Sequence, residues 1–212
     1  ARSRRGTHRP TVAVWAGAGA QSGPRPGGAE RGCRSRALLL QAMSGVFTRL
    51  VGQSAVESEL VGAASAARGD PSHGAETGSM THAWLITGPP GSGRSVAALC
   101  FAAALQCTAE GTLGCGQCRA CATVMAGTHP DVRRVIPEGL SIGVDDMRAI
   151  VATASRRPST GRWQIVVIED ADRLTEGAGN ALLKVVEEPP PLTVFLLCAP
   201  SVDPEDISIT LR

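Results

Sequence analysis

The sequence predicts an α/β fold in which a parallel sheet is covered by helices on both faces. Short apolar runs alternate with helical patterns from residue 43 onward, and the later runs are almost continuous in Val, Ile and Leu. Strands of that kind are typical of parallel sheets, whose two faces are both buried. A glycine-rich turn between the first such strand and the next helix supports the same interpretation.

The predicted elements follow one another in a regular order. Helices are expected over 54–67, 96–106, 145–157 and 175–188, and strands over 82–87, 131–136, 163–168 and 193–198. Ser54 and Glu57 have the spacing of a capping box, which predicts where the first helix begins. Pro158 and Pro189 predict where the third and fourth helices end.

Composition limits the class of protein. The chain has 212 residues, 43% of them hydrophobic, which is enough for one sizeable core. It contains no run of eighteen apolar residues, so no membrane span is predicted. The seven cysteines are an odd number and no export signal precedes them, so we expect reduced thiols and a cytoplasmic location.

Charge separates the first 42 residues from the rest. Residues 1–42 carry eight Arg and one Glu, whereas residues 43–212 carry thirteen basic and eighteen acidic side chains. The first segment has no sustained period and is rich in Gly, Pro and Arg, which predicts a disordered extension. We expect Met43 to be the natural start and 1–42 to be foreign to the native protein. A nucleic-acid-binding arm is the alternative.

A phosphate-loop pattern follows the first predicted strand and leads into a helix, as such a loop requires. Its predicted nucleotide-binding residues are Gly88, Pro89, Pro90, Gly91, Ser92, Gly93, Arg94 and Ser95. Ser95 could hold Mg²⁺, but Arg94 replaces the usual Lys, and its forked group does not reproduce a compact ammonium. We therefore predict weak or absent ATP hydrolysis. A general preference for Arg, with twenty Arg and one Lys in the chain, and a plain strand-to-helix turn are the alternatives.

An acidic pair, Glu169 and Asp170, ends the third predicted strand. Nucleotide hydrolases usually present Asp for Mg²⁺ and then Glu to polarise water, and here that order is inverted. Asp170 is one methylene too short to activate water well, which is a second indication of a weakened catalytic centre. A solvated acidic cluster with Asp172 is the alternative.

Four cysteines have the spacing of a structural metal site. Cys107, Cys115, Cys118 and Cys121 form a C-x7-C-x2-C-x2-C pattern. Four thiolates suit a tetrahedral Zn²⁺ site, and no His, Asp or Glu at matching spacing leaves a coordination position open. The sequence therefore predicts a structural zinc module over about 107–121.

Several of these motifs together resemble the N-terminal part of bacterial DNA polymerase III clamp-loader subunits, and the delta-prime branch most closely. The resemblance covers residues 43–212. Segments 47–53, 127–131 and 180–190, the altered phosphate loop and the cysteine spacing carry it. The phosphate loop alone is common, whereas the cysteine spacing combined with Ala-Leu-Leu-Lys-x-x-Glu-Glu-Pro-Pro is nearly diagnostic.

The resemblance implies an AAA+ module in a complex with gamma/tau and delta subunits that loads a sliding clamp onto primed DNA. A delta-prime subunit would act as a non-hydrolysing stator, with ATP and Mg²⁺ as doubtful cofactors. Val51 would lie near the adenine and residues 88–95 near the phosphates. Lys184 would face DNA, or else be an ordinary surface lysine. Ala199 lacks the polar side chain that senses the γ-phosphate in the family.

The resemblance also implies an AAA+ strand order of 5-1-4-3-2 with the fifth strand, the arginine finger and the lid and collar domains outside this chain. Strand 82–87 would then be an unpaired sheet edge. Two other functions remain open. One is a gamma/tau-type ATP-hydrolysing motor, and the other is a zinc-containing nucleotide kinase, although kinases usually split their cysteine pairs by a long lid.

Overall fold

The computed structural model describes residues 45–69, 80–137 and 139–201, and the backbone of 11–14. Its strands are β1 (Thr11–Val14), β2 (Ala83–Thr87), β3 (Val132–Val135), β4 (Gln164–Ile168) and β5 (Thr193–Ala199). Its helices are α1 (Ser54–Arg68), α2 (Arg94–Gln106), α3 (Arg119–Met125), α4 (Val144–Ala154) and α5 (Glu176–Glu187). Two short 3-10 helices, Val46–Arg49 and Ala171–Arg173, complete the described elements.

The strands form one parallel sheet in the order β1-β2-β5-β4-β3. Every residue of β2, β4 and β5 is buried, as expected for strands covered on both faces. The predicted α/β class with a parallel sheet is therefore confirmed. The four strands that follow residue 43 also have the 1-4-3-2 order that the family resemblance implies.

Helices cover the two faces of the sheet as two separate hydrophobic layers. α1, α2, α3 and the first 3-10 helix pack on one face, where the Trp84 and Phe101 rings meet edge to face at 5.0 Å. α4 and α5 pack on the other face, with Met147 and Leu182 fully buried there. Within the described ranges, no helix is long and apolar enough to cross a membrane.

β1 corrects the expectations for the N-terminal segment and for the edge of the sheet. Residues 11–14 were predicted to lack regular structure, but they run parallel to β2 with Thr11 opposite Trp84. β2 is consequently not the unpaired edge that the sequence predicted. An open strand edge has free N–H and C=O groups, and Thr-Val-Ala-Val is a suitable run to bind them. The other residues of 1–42, including Cys33, lie outside the described residues.

The cap of one helix and the end of another also differ from the predictions. Gln53, not Ser54, is the N-cap of α1, and no side chain caps that helix, so the predicted capping box is wrong. α4 ends at Ala154 instead of continuing to Arg157. The Thr153 and Ser155 hydroxyls donate to the carbonyls of Ala149 and Val151, a contact that weakens the last turn of a helix.

A buried carboxylate fixes the connection between α4 and β4. Asp131, which directly precedes β3 and is 2% exposed, accepts the backbone amides of Ser159, Thr160 and Gly161 and both hydroxyls of that segment at 2.6–3.0 Å. Burial acts to raise the pKa of Asp131, but these hydrogen bonds outweigh burial and hold the pKa well below its usual range. This connection is thereby held against the start of β3.

Candidate phosphate-loop site and metal centre

The phosphate loop joins the end of β2 to the start of α2 and has the backbone shape that its glycines allow. Gly91 and Gly93 have φ of +83° and +91°, in the left-handed region that favours glycine. The Gly88 amide donates to the carbonyl of Ala199 at 3.1 Å, which ties the loop to the end of β5. The loop thus lies at the carboxyl ends of neighbouring parallel strands, where α/β proteins bind their ligands.

Arg94 is engaged by groups of the protein itself. Its Nη1 donates to the Gly88 carbonyl at 2.6 Å, and its Nη2 donates to Asp170 Oδ1 at 3.0 Å. Only 13% of the side chain is exposed. The guanidinium is therefore turned onto the rim of the loop and onto the acidic pair, and each of these contacts competes with a bound phosphate.

The two acidic residues after β4 are also hydrogen-bonded within the site. Ser95 Oγ donates to Glu169 Oε2 at 3.2 Å, and Arg134 on β3 forms an ion pair with the same carboxylate. Asp170 has a left-handed backbone, with φ of 51°, and its second carboxylate oxygen lies 3.9 Å from Arg173 Nε. The structure thus brings Arg94, Ser95, Glu169 and Asp170 together, as the motifs predicted.

The site keeps one feature of a phosphate-binding loop, but the side chains that could hold Mg²⁺ or polarise water are bound to other side chains. Ser92 Oγ is buried with no hydrogen-bond partner in the described part of the chain, and a phosphate in the loop would supply one. In contrast, the Ser95 hydroxyl and both carboxylates that could hold Mg²⁺ or polarise water are already bound. A Mg–ATP complex would have to displace these contacts to bind here.

Sequence reasoning missed Arg134 and Arg173 as members of this site. Arg134 lies on the edge strand β3, opposite Val167 of β4, so its contact with Glu169 depends on the strand register. No local motif marks such a contact. A predicted sheet order combined with the alternation of side chains along β3 could have found it.

The other predicted site residues lie on the surface or in the core. Val51 is 87% exposed, in the turn before α1. Lys184 is exposed on α5, and its side chain makes no hydrogen bond or ion pair with the described residues. Ala199 is buried at the end of β5, next to the phosphate loop. The roles assigned to these residues stay predictions.

The four predicted metal ligands converge on one point. The sulfur atoms of Cys107, Cys115, Cys118 and Cys121 all lie within 4.8 Å of one another. In a tetrahedral site with Zn–S bonds of about 2.3 Å, the sulfurs are about 3.8 Å apart, so the cluster fits a single zinc ion. Cys107 follows α2, and Cys118 caps the start of α3. The cluster can hold a metal ion.

Backbone amides surround these sulfurs in a repeated way. The amides of Cys115, Cys118 and Cys121 donate to the sulfur of the preceding cysteine in the set, at 3.5, 3.3 and 3.4 Å. The contact between the two thiols lowers the pKa of Cys107 and raises that of Cys121, because one proton is shared between them. Backbone N–H donors to sulfur favour thiolates, the form of cysteine that binds metal.

The cysteine loop is packed against the segment that precedes α1. The Val46 amide donates to the Gly114 carbonyl at 2.9 Å, and a Cβ at Gly45 would lie 2.3 Å from that oxygen. Behind this contact, the Cys100 thiol donates to the Val46 carbonyl at 3.1 Å. Burial raises the pKa of Cys100 to about 12, so it stays a neutral core thiol and is not a fifth ligand.

A sequence model described as "DNA polymerase III, delta subunit" matches residues 71–208, which is more than half of the chain. The chain belongs to this DNA polymerase III delta subunit family. It is 40% identical over 121 residues to the DNA polymerase III subunit delta' of Haemophilus influenzae, with 57% of this chain and 37% of that protein covered.

Other curated relatives come from the same polymerase. The Escherichia coli subunit delta' is 37% identical over 140 residues, which cover 65% of this chain and 41% of that protein. The Bacillus subtilis subunit tau is 36% identical, with 62% and 23% covered. The chain thus spans about two fifths or less of the length of these relatives.

Solved structures with a similar fold include a DNA polymerase III gamma subunit-related protein from Thermotoga maritima. It is 27% identical, with a TM-score of 0.44 over 56% of this chain and 34% of that chain. The RuvB Holliday junction branch migration motor of Thermotoga maritima is 19% identical, with a TM-score of 0.46 over 82% and 45%.

Proposed function

We propose that this chain is the N-terminal part of a delta-prime-type clamp-loader subunit, which helps to load a sliding clamp onto primed DNA without hydrolysing ATP itself. The contact between Arg94 and Asp170 is the observation that supports a subunit without ATP hydrolysis. It joins the two positions at which the motifs depart from an active hydrolase. The delta' relatives, at 36–40% identity, support the assignment as a delta-prime-type subunit.

The partners proposed are the gamma/tau and delta subunits, with the sliding clamp and primed DNA reached through the complex. In this assembly the subunit acts as a stator. Val51 would lie near any bound adenine, and Lys184 would be available to a DNA phosphate because it is exposed on α5.

The metal centre is proposed to be a structural zinc site. Cys107, Cys115, Cys118 and Cys121 would hold the ion, which supplies a cross-link between the end of α2 and the start of α3 and takes no part in chemistry. Four sulfur ligands complete a tetrahedron, so no position is left for water or substrate.

The gamma/tau-type motor is the second candidate function. Relatives named tau and gamma/tau are 31–36% identical to this chain, and the phosphate loop keeps its glycine backbone and the buried, unpartnered Ser92 hydroxyl. The nucleotide-kinase alternative has no such support, because the chain belongs to the polymerase III family.

ATP turnover separates the two candidates. We expect a purified protein extended to the length of the delta' relatives to show turnover no higher than buffer, with or without primed DNA. Added to gamma/tau, delta, clamp and primed DNA, it should be required for loading of the clamp. DNA-stimulated turnover by the isolated protein would assign it to the motor type, and clamp loading that is equally fast without it would contradict the proposal as a whole.

A further inference from the structure

Arg68, the last residue of α1, reaches across to the cysteine loop. Its Nη1 donates to the carbonyls of Ala109 and Thr112 at 3.1 and 2.8 Å, and its Nη2 donates to the carbonyl of Cys107 at 2.8 Å. Gly69 ends the helix in a left-handed conformation, with φ of 74°. A planar, forked guanidinium reaches these three carbonyls from two nitrogens, whereas the shorter Lys side chain would have to reach all three from one nitrogen.

These three carbonyls belong to the part of the 107–121 module that its own sequence constrains least. Cys115, Cys118 and Cys121 lie close together in sequence, and each amide contacts the sulfur before it. Cys107 is separated from Cys115 by seven residues, including Gly111 and Gly114 with positive φ. The end of α2 and the Val46–Gly114 hydrogen bond hold the two ends of this segment, and the three contacts of Arg68 restrict the conformations between them.

We propose that Arg68 is a positioning residue for the metal, which holds the Cys107 segment in place and so determines how long the centre retains its ion. The proposal rests on the proposed zinc site and adds to it a residue outside the 107–121 module. Arg68 acts through the backbone of Cys107 and does not contact the ion. Its contacts to the outer shell of the site resemble those whose loss typically lowers metal affinity by about 10–100-fold.

The positive charge of Arg68 alone would be a simpler explanation of an effect on metal retention, because any cation near four thiolates favours metal binding. Arg119 provides the matched control for this effect. It follows Cys118 directly, is exposed, and forms no ion pair with the described residues. Arg119→Gln removes a charge close to the cluster but removes none of the three carbonyl contacts, whereas Arg68→Lys keeps the charge and loses the fork.

The experiment compares wild-type protein with Arg68→Gln, Arg68→Lys and Arg119→Gln, each purified with zinc. Bound zinc is measured by elemental analysis, and its release is followed with a chromogenic chelator. Circular dichroism and tryptophan fluorescence check that each variant is folded. We expect both Arg68 variants to release zinc at least about tenfold faster than wild type, and Arg119→Gln to stay within about twofold. Cobalt-loaded Arg68 variants should also show shifted absorption bands of the tetrahedral ion.

The outcomes distinguish this proposal from the zinc site on which it rests. A wild-type protein without stoichiometric metal overturns both. Stoichiometric metal with unchanged release from the Arg68 variants overturns the role of Arg68 only. Arg68→Lys behaving as wild type, or Arg119→Gln releasing zinc as fast as Arg68→Gln, shows that charge is sufficient and likewise overturns it. If Arg68→Gln does not fold, the release rate of Arg68→Lys decides.

Discussion

At the scale of single residues, Arg94 is the side chain that most directly separates this phosphate loop from a working one. It is bound to the Gly88 carbonyl and to Asp170, so a nucleotide would have to displace it from both. Arg94→Lys removes these contacts but leaves the inverted Glu169–Asp170 pair. We expect the variant to bind a fluorescent ATP analogue more tightly than wild type while its ATP turnover stays at background.

A triple variant tests whether Arg94 or the inverted Glu169–Asp170 pair limits catalysis. Arg94→Lys combined with Glu169→Asp and Asp170→Glu restores the motif order of an active hydrolase. Turnover in this variant alone would agree with the proposal. Turnover in Arg94→Lys by itself would show that the inverted pair is no obstacle.

Asp131 gives a second prediction at this scale, one that concerns stability. Asp131→Asn keeps only one acceptor oxygen and turns an NH2 group toward the N–H and O–H donors of residues 159–161, so the free energy of unfolding at pH 7 should fall by about 2–4 kcal/mol. The folded-state pKa of this carboxyl lies below the unfolded value of about 3.9. Its stabilisation is therefore present above about pH 4 and is lost as the pH falls further.

Denaturant unfolding at several pH values measures this effect. The difference between wild type and Asp131→Asn should narrow as the pH is lowered below about 4. Asp145→Asn is the control, because that side chain is 90% exposed and should change stability by no more than about 0.5 kcal/mol. A difference that does not change with pH would mean that the carboxylate charge is not the cause.

At the scale of elements, the metal should order the cysteine module and leave the sheet intact. Removing zinc, or replacing Cys118 by Ser, should increase hydrogen exchange of amides over 107–121 and at Val46, whose amide bonds to Gly114. The strands β2, β4 and β5 have a core of their own on both faces and should stay protected. A disulfide between Cys118 and Cys121, or less than one zinc in reducing buffer, would contradict the site.

β1 gives a further prediction at this scale. Deletion of residues 1–42 removes the strand that pairs with β2 and exposes an apolar edge. The shortened chain should associate at lower protein concentration than the intact one, as measured by sedimentation velocity. Deletion of residues 1–8, which keeps β1, should not. Equal behaviour of the two deletions would show that β1 does not protect this edge.

The elements differ in how well the sequence predicts them. β4 and β5 were predictable because a continuous apolar run is sufficient to indicate a buried strand. β1 was not, because its four residues become a strand only through β2, far along the chain. The cysteine cluster followed from spacing alone. Arg68, Arg134 and Asp131 form contacts over 28–44 residues of sequence, and no local pattern reveals such pairs.

At the scale of the whole molecule, the chain matches less than half of the length of its delta' relatives. It covers 37% and 41% of two delta' proteins. We expect the present chain, added to gamma/tau, delta, clamp and primed DNA, to give no clamp loading above background. A chain extended to the length of the relatives should restore loading. Equal loading by both would contradict the stator proposal.

The pairing of β2 has a consequence for the order in which the chain folds. Residue pairs between β3 and β4 are 33 positions apart, and those between β4 and β5 are 29 apart. Ala83 of β2, in contrast, lies opposite Phe195, 112 positions later. Closing a long loop costs more entropy than closing a short one, so β3, β4 and β5 can assemble before β2 joins them. On a ribosome, the strand that carries the phosphate loop is synthesised early and can pair with β1, but it has to wait for β5 before it can join the other three strands.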